Sequence, residues 1–155
     1  MAIKVIAIGN IIMGDDGIAI EIAKNIQGFL KKNNIEVIIG ETDFEYCLSN
    51  IKKDDFLFIL DAGYYGKKIG DITTLSLDNY TSHKKGYTQH SYSFIDLVKL
   101  YYKETKGYIL AIEVSNIDYT LEISKELKAN MNKISNEIIS IIIKEIKSLD
   151  KSSVF

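Results

Sequence analysis

The chain has 155 residues, 46% of them hydrophobic and 26% charged, with a formal net charge of −2. That size suits one domain around one core, and the charge balance excludes a bulk attraction for nucleic acid or an anionic membrane surface. All 19 basic residues are Lys, so no Arg can offer its planar fork to a phosphate or carboxylate.

The run Ile3 to Ile8 is nearly all apolar, the pattern of a strand covered on both faces. A loop, Gly9-Asn10-Ile11-Ile12-Met13-Gly14, leads into Asp15 and Asp16. A helix is predicted to start at one of these acids, with Ile18, Ile22, Ile26, Phe29 and Leu30 on one stripe. Asn33-Asn34 ends it, Ile35 to Ile39 reads as a second strand, and Phe44 to Ile51 as a short helix. Phe56 to Leu60 is apolar throughout and so predicts a central strand, whereas the alternating Asp71 to Leu77 predicts an edge strand. The stretch from Asp78 to Gln89 is polar and irregular. Tyr92 to Tyr102 then places Phe94, Leu97, Val98 and Tyr101 at helical spacing, and Tyr108 to Ile112 is a last strand. Ser124 or Asn130 opens a long helix with Ile134, Ile138, Ile141, Ile142 and Leu149 inward, and Asp150 to Phe155 is expected to fray.

Strands alternating with helices predict an α/β three-layer sandwich. Its mostly parallel, twisted sheet has about five strands, with helices on both faces. One domain spanning 1–155 and a monomer are expected. No charged start followed by a long apolar run opens the sequence, so neither a signal peptide nor a membrane span is expected, and the location expected is cytoplasmic. Cys47 is the only cysteine, which leaves no disulfide framework and no paired-cysteine metal motif; it reads as a small packing residue.

Three side chains fall where α/β proteins carry function. Asp16 closes the first loop, Asp61 follows the central apolar run, and His90 stands where a polar loop meets a helix. Each has a structural alternative. Either acid at 15 or 16 can cap a helix; Asp15 is given the cap and Asp16 the chemistry. Asp61 can close a turn through Ala62-Gly63, and His90 can cap its helix. His83, beside Lys84 and Lys85, reads as a solvated loop residue. Gly9 to Gly14 lacks the spacing of a dinucleotide or phosphate loop, and two acids stand where a phosphate would bind. Two carboxylates and an imidazole delivered to one rim would make a small metal site. For Asp16 and Asp61 to meet, the first and third strands should be neighbours, which favours the strand order 2-1-3.

The sequence resembles the hydrogenase maturation endopeptidases, which process the large subunit of nickel-iron hydrogenases. Ile6-Ala7-Ile8-Gly9-Asn10 with Gly14-Asp15-Asp16-Gly17 is similar to the family's first motif, Leu60-Asp61-Ala62 to its second, and His90 with the following helix to its third. Leu110-Ala111-Ile112-Glu113 resembles the family's late strand. The resemblance implies nickel binding and catalysis by Asp16, Asp61 and His90. Some relatives have Glu at the place of Asp16, and many have Pro at that of Val114. It further implies an aspartic-type endopeptidase that removes a C-terminal extension from a nickel-loaded precursor, the nickel arriving with the substrate. Asp16 and Asp61 both stand as possible general bases. The rival readings are a non-enzymatic nickel-binding or chaperone module of the same fold, a flavodoxin-like nucleotide or phosphate binder, and a different peptidase sharing the fold.

Overall fold

The computed structural model describes residues 1–79, 90–115 and 118–152. His83 and most of the polar stretch before His90 lie outside them. Five strands form one sheet: β1 (Ile3–Ile8), β2 (Ile35–Glu41), β3 (Phe56–Gly63), β4 (Ile72–Ser76) and β5 (Lys106–Glu113). Their order is β2-β1-β3-β5-β4. All neighbours run parallel except β4 and β5, which are antiparallel, so the sheet is mixed at one edge. The expected adjacency of the first and third strands is present.

Every residue of β3 is buried, as its unbroken apolar run requires. Side chains alternate between the two faces. On one face Val5, Ala7, Phe58, Leu60, Leu110 and Ile112 pack under helices α1 (Ile18–Lys32) and α5 (Met131–Ser152). On the other, Ile6, Ile8, Leu57, Ile59 and Ile109 meet α2 (Phe44–Ser49) and α3 (Ser91–Tyr101), which supply Cys47, Phe94, Ile95 and Val98. Each fully buried aliphatic side chain contributes about 1.5–3 kcal/mol relative to its exposed form. No helix among the described residues is long and apolar enough to cross a membrane.

Several local expectations are corrected. The first acids do not open the helix. Gly14–Gly17 forms a 3-10 turn, and α1 begins at Ile18 behind Gly17, with no side-chain cap. Phe29 is exposed, because the stripe Ile18-Ile22-Ile26-Leu30 already faces the sheet and Phe29 projects beside it. On α3 the inward place expected for Tyr101 is taken by Ile95, and Tyr101 faces out. Both proposed openings near the end are used: Ser124 precedes the short α4 (Lys125–Ala129), the chain breaks at Asn130, and α5 starts at Met131. Residues 150–152 continue α5, with Leu149 partly buried against the core, and the rest of the stretch expected to fray, 153–155, lies outside the described residues.

Cys47 is a packing residue, as read. A Cβ on Gly40 would meet its sulfur at 2.1 Å, so that glycine admits the thiol against β2. Burial, with the Asp43 charge next, pushes the thiol pKa up to about 11, which leaves it unreactive at neutral pH.

Candidate active site

The switch of strand order, with β2 on one side of β1 and β3 on the other, directs the carboxyl ends of β1 and β3 to one crevice. Gly9 ends β1 with φ +152°, and a Cβ there would lie 2.3 Å from the carbonyl oxygen of Asp16. Only glycine lets the acidic turn fold back this closely on the strand. Asp16 is thereby buried at 2% exposure. Its Oδ2 accepts the Asn10 N–H at 2.9 Å and lies 2.8 Å from His90 Nε2. Its Oδ1 is buried and has no hydrogen-bond partner among the described residues.

Asp15 does not cap α1. It turns away and accepts the N–H of Ser124 at 2.7 Å, tying the acidic turn to the start of α4. The same two loops are joined again where Gly14 N–H reaches Thr120 O and Thr120 N–H reaches Ile12 O. Around this junction Ile11, Ile12, Tyr119 and Leu121 are exposed.

Asp61 lies within β3, which runs further than the apolar pattern indicates and pairs Asp61 with Ala111. Its carboxylate is fully buried. Oδ1 accepts the Ala62 N–H at 2.9 Å. Oδ2 accepts three donors at 2.8 Å: the N–H of His90, the N–H of Ser91 and the Ser91 hydroxyl. Helix starts leave N–H groups without intrahelical partners. Here a strand residue from elsewhere in the chain caps α3, and His90 occupies the N-cap position without a side-chain bond to its own helix.

Burial pushes the Asp61 pKa up to about 6, against the opposing pull of the His90 and Ser91 donors. For His90, burial disfavours the cation, but the hydrogen bond and charge of Asp16, with the charge of Asp61, outweigh it and raise its pKa above the ordinary imidazole value. Its ring is 21% exposed, so it forms the open side of the pair with Asp16.

The structure therefore brings Asp16, Asp61 and His90 together as a relay. Asp61 fixes the backbone of His90, and Asp16 meets its ring. Among the described residues no group of three His, Cys, Asp or Glu side chains is arranged to hold one ion. Asp16 and His90 present a neighbouring oxygen and nitrogen, while the Asp61 oxygens are engaged by donors. A cavity of about 550 Å³, lined in part by Phe56, Lys106, Tyr108 and Leu149, lies at the opposite end of the sheet, and none of these three residues lines it.

Sequence reasoning missed Ser91, Glu113 and Tyr64. Ser91 sits directly after His90 and is itself a helix-start residue type, a signal available in the sequence. Glu113 is buried at the end of β5 and accepts the Tyr65 N–H at 2.8 and 3.2 Å, fixing the chain just past Asp61. Its strand was recognised, but no pattern marked its carboxylate.

A parallel sheet covered on both faces, with buried acids and an imidazole at its switch point, defines an α/β protein with a built polar site. The hydrogenase maturation protease profile (HycI) matches residues 20–141. The chain belongs to the hydrogenase maturation protease family. Asp61 and His90 fall inside that match, and Asp16 lies just before it. A Methanocaldococcus jannaschii protein described as a hydrogenase maturation protease is 25% identical over 150 residues, covering 94% of this chain and 96% of the relative. Among solved structures, the nickel-iron hydrogenase maturation protease HybD of Thermococcus kodakarensis is 23% identical, with a TM-score of 0.73 over 91% of this chain and 99% of that one. The hydrogenase maturating endopeptidase HybD of E. coli is 15% identical, with the same TM-score of 0.73 over 94% of each chain. These structural likenesses are of fold.

Proposed function

We propose that the protein is an endopeptidase that removes the C-terminal extension of a nickel-iron hydrogenase large-subunit precursor, recognising the nickel already bound there. The observation that carries this reading is the Asp16–His90 pair: a carboxylate oxygen 2.8 Å from an imidazole nitrogen, beside a second carboxylate oxygen that is buried and unpartnered among the described residues. Oxygen and imidazole nitrogen suit a borderline divalent ion. Two side chains supply too few ligands for a closed cage, which fits an ion shared with the substrate that delivers it. Metal capture would displace the proton favoured on His90, so it is coupled to proton release. Asp61 holds the N-terminus of α3 and so sets the height of His90 in the crevice. Its own ligation of nickel would require giving up donors on Oδ2.

For hydrolysis, the open acceptor favours Asp16 over Asp61 as general base. Oδ1 of Asp16 has a free lone pair, whereas the Asp61 oxygens already accept four donors. Water adds to the scissile carbonyl carbon as its proton passes to Asp16. The carbon–nitrogen bond then breaks as the proton passes to the leaving amine.

Purified nickel-loaded precursor, mixed with the protein and followed by intact-mass spectrometry, tests this. Loss of a C-terminal fragment is expected, and nickel-free precursor is expected to stay whole. Asp16→Ala and His90→Ala should each slow cleavage by roughly 100-fold or more. Undiminished cleavage by His90→Ala or Asp61→Ala would overturn the site. Nickel binding with no change in precursor mass would favour the non-enzymatic module.

A further inference from the structure

Tyr64 stands just past the carboxyl end of β3, three positions beyond Asp61. Its ring packs against the core beneath α1 and α5. Its hydroxyl oxygen is buried and has no hydrogen-bond partner among the described residues. That oxygen sits in the field of Asp16, Asp61, Asp15 and Glu113. Burial first, then these four charges, push the phenol pKa up to about 12, so the group keeps its proton across the neutral range.

The surroundings are rich in acceptors, and the backbone donors beside Asp16 and Asp61 are committed. Asn10 N–H is taken by Asp16, and Ala62 N–H, His90 N–H, Ser91 N–H and the Ser91 hydroxyl by Asp61. Tyr65 N–H is taken by Glu113. Among the described residues, the Asp16 Oδ1 acceptor and the Tyr64 and Ser124 hydroxyls are buried without a hydrogen-bond partner. Of the two hydroxyls, that of Tyr64 is the one just past Asp61 and the end of β3, whereas Ser124 lies against Asp15 at the start of α4. Asp16 Oδ1 and the Tyr64 O–H have the polarity a peptide bond and its attacking water require: an acceptor for the water proton and a donor for the carbonyl oxygen.

We propose that Tyr64 donates its O–H to the carbonyl oxygen of the peptide bond being cut, and so is a catalytic residue of this site; the assignment rests on the endopeptidase reading. When water adds to the carbonyl carbon, the carbonyl electron pair moves onto oxygen and strengthens the bond from Tyr64. When the carbon–nitrogen bond breaks, the pair returns to reform the carbonyl. The phenol keeps its proton throughout, and the proton from water travels through Asp16 to the leaving amine. A neutral donor aimed at developing charge stabilises the transition state more than the ground state.

The test is Tyr64→Phe in the full chain, assayed on nickel-loaded precursor. The value of kcat should fall roughly 100- to 1,000-fold. KM should stay within about twofold, because the lost bond matters chiefly in the transition state. The melting temperature should hold or rise, because the removed hydroxyl has no partner to lose among the described residues. Cleavage by wild-type protein with an undiminished kcat for Tyr64→Phe overturns the role of Tyr64 alone. A rate loss accompanied by an equal loss of folded protein assigns the hydroxyl to structure and also overturns it. Wild-type protein that leaves the precursor intact overturns the endopeptidase reading, and the Tyr64 assignment with it.

Discussion

Asp55 and Asp61 stand at opposite ends of the same strand, roughly 20 Å apart, and both are buried. Their carboxylates meet opposite conditions. Asp55 receives the Lys4 ammonium at 2.8 Å and the Lys52 N–H at 2.7 Å. Burial alone would raise its pKa, but Lys4 and the backbone donors outweigh that and lower it. Asp61 is held by the His90 and Ser91 donors with the His90 charge assisting, yet burial prevails. One end of the sheet neutralises its acid with a lysine. The other keeps an acid poised near neutrality, next to an imidazole and, among the described residues, the unpartnered Asp16 Oδ1 and Tyr64 hydroxyl. Among the described residues, the buried acid at one end has a lysine beside it and the buried acid at the other has backbone and hydroxyl donors beside an imidazole.

The sharpest way to break that contrast is to remove the cation. Lys4→Met leaves Asp55 buried without its ammonium and should cost about 3–5 kcal/mol of stability, read by denaturant unfolding. Lys4→Met combined with Asp55→Leu should recover most of the loss, because neither charge then remains. At the site end, Asp61→Ala removes a cap rather than an ion pair. The N–H groups of His90 and Ser91 lose their acceptor, and a loss of about 1–2 kcal/mol is expected in the same measurement.

The smallest effect is in the pH profile. Asp55, with a depressed folded pKa, contributes stability that is present above the ordinary carboxylate value and is lost as pH falls through its lower folded value. Asp61 has the opposite sign. The folded protein binds its proton more tightly than the unfolded chain, so stability falls as pH rises from about 4 toward about 6. The slope from this one group is at most about 1.4 kcal/mol per pH unit. Asp61→Asn should flatten the profile in that window and leave the acid limb below it unchanged. An unaltered slope would place the titrating group elsewhere.

Much of this architecture was legible in the residues themselves. Ile3 to Ile8 and Phe56 to Leu60 announce buried parallel strands because both faces must be apolar. Asp16 and Asp61 then required the strand order 2-1-3 if they were to meet. What stayed hidden depends on partners remote in sequence. Asp15 looked like a cap because it precedes a helix, yet its acceptor role is directed to Ser124, 109 positions away. Asp61 looked like a ligand or a turn, and nothing local showed that it caps a helix from a strand. Tyr64 carried no mark in the sequence, since an unpaired phenol differs from a packed one only by what surrounds its oxygen.

The cap that Asp61 supplies to α3 has a practical consequence for making an inert form of the protein to trap its partner. An alanine at 61 would silence the site and loosen the helix that carries His90, so a failed capture would not distinguish lost chemistry from a displaced recognition surface. Asp16→Asn confines the change to the carboxylate proposed to face the nickel, so a failed capture would point to that group. The substitution keeps an amide oxygen for the Asn10 N–H, leaves α3 anchored, and removes the carboxylate alone.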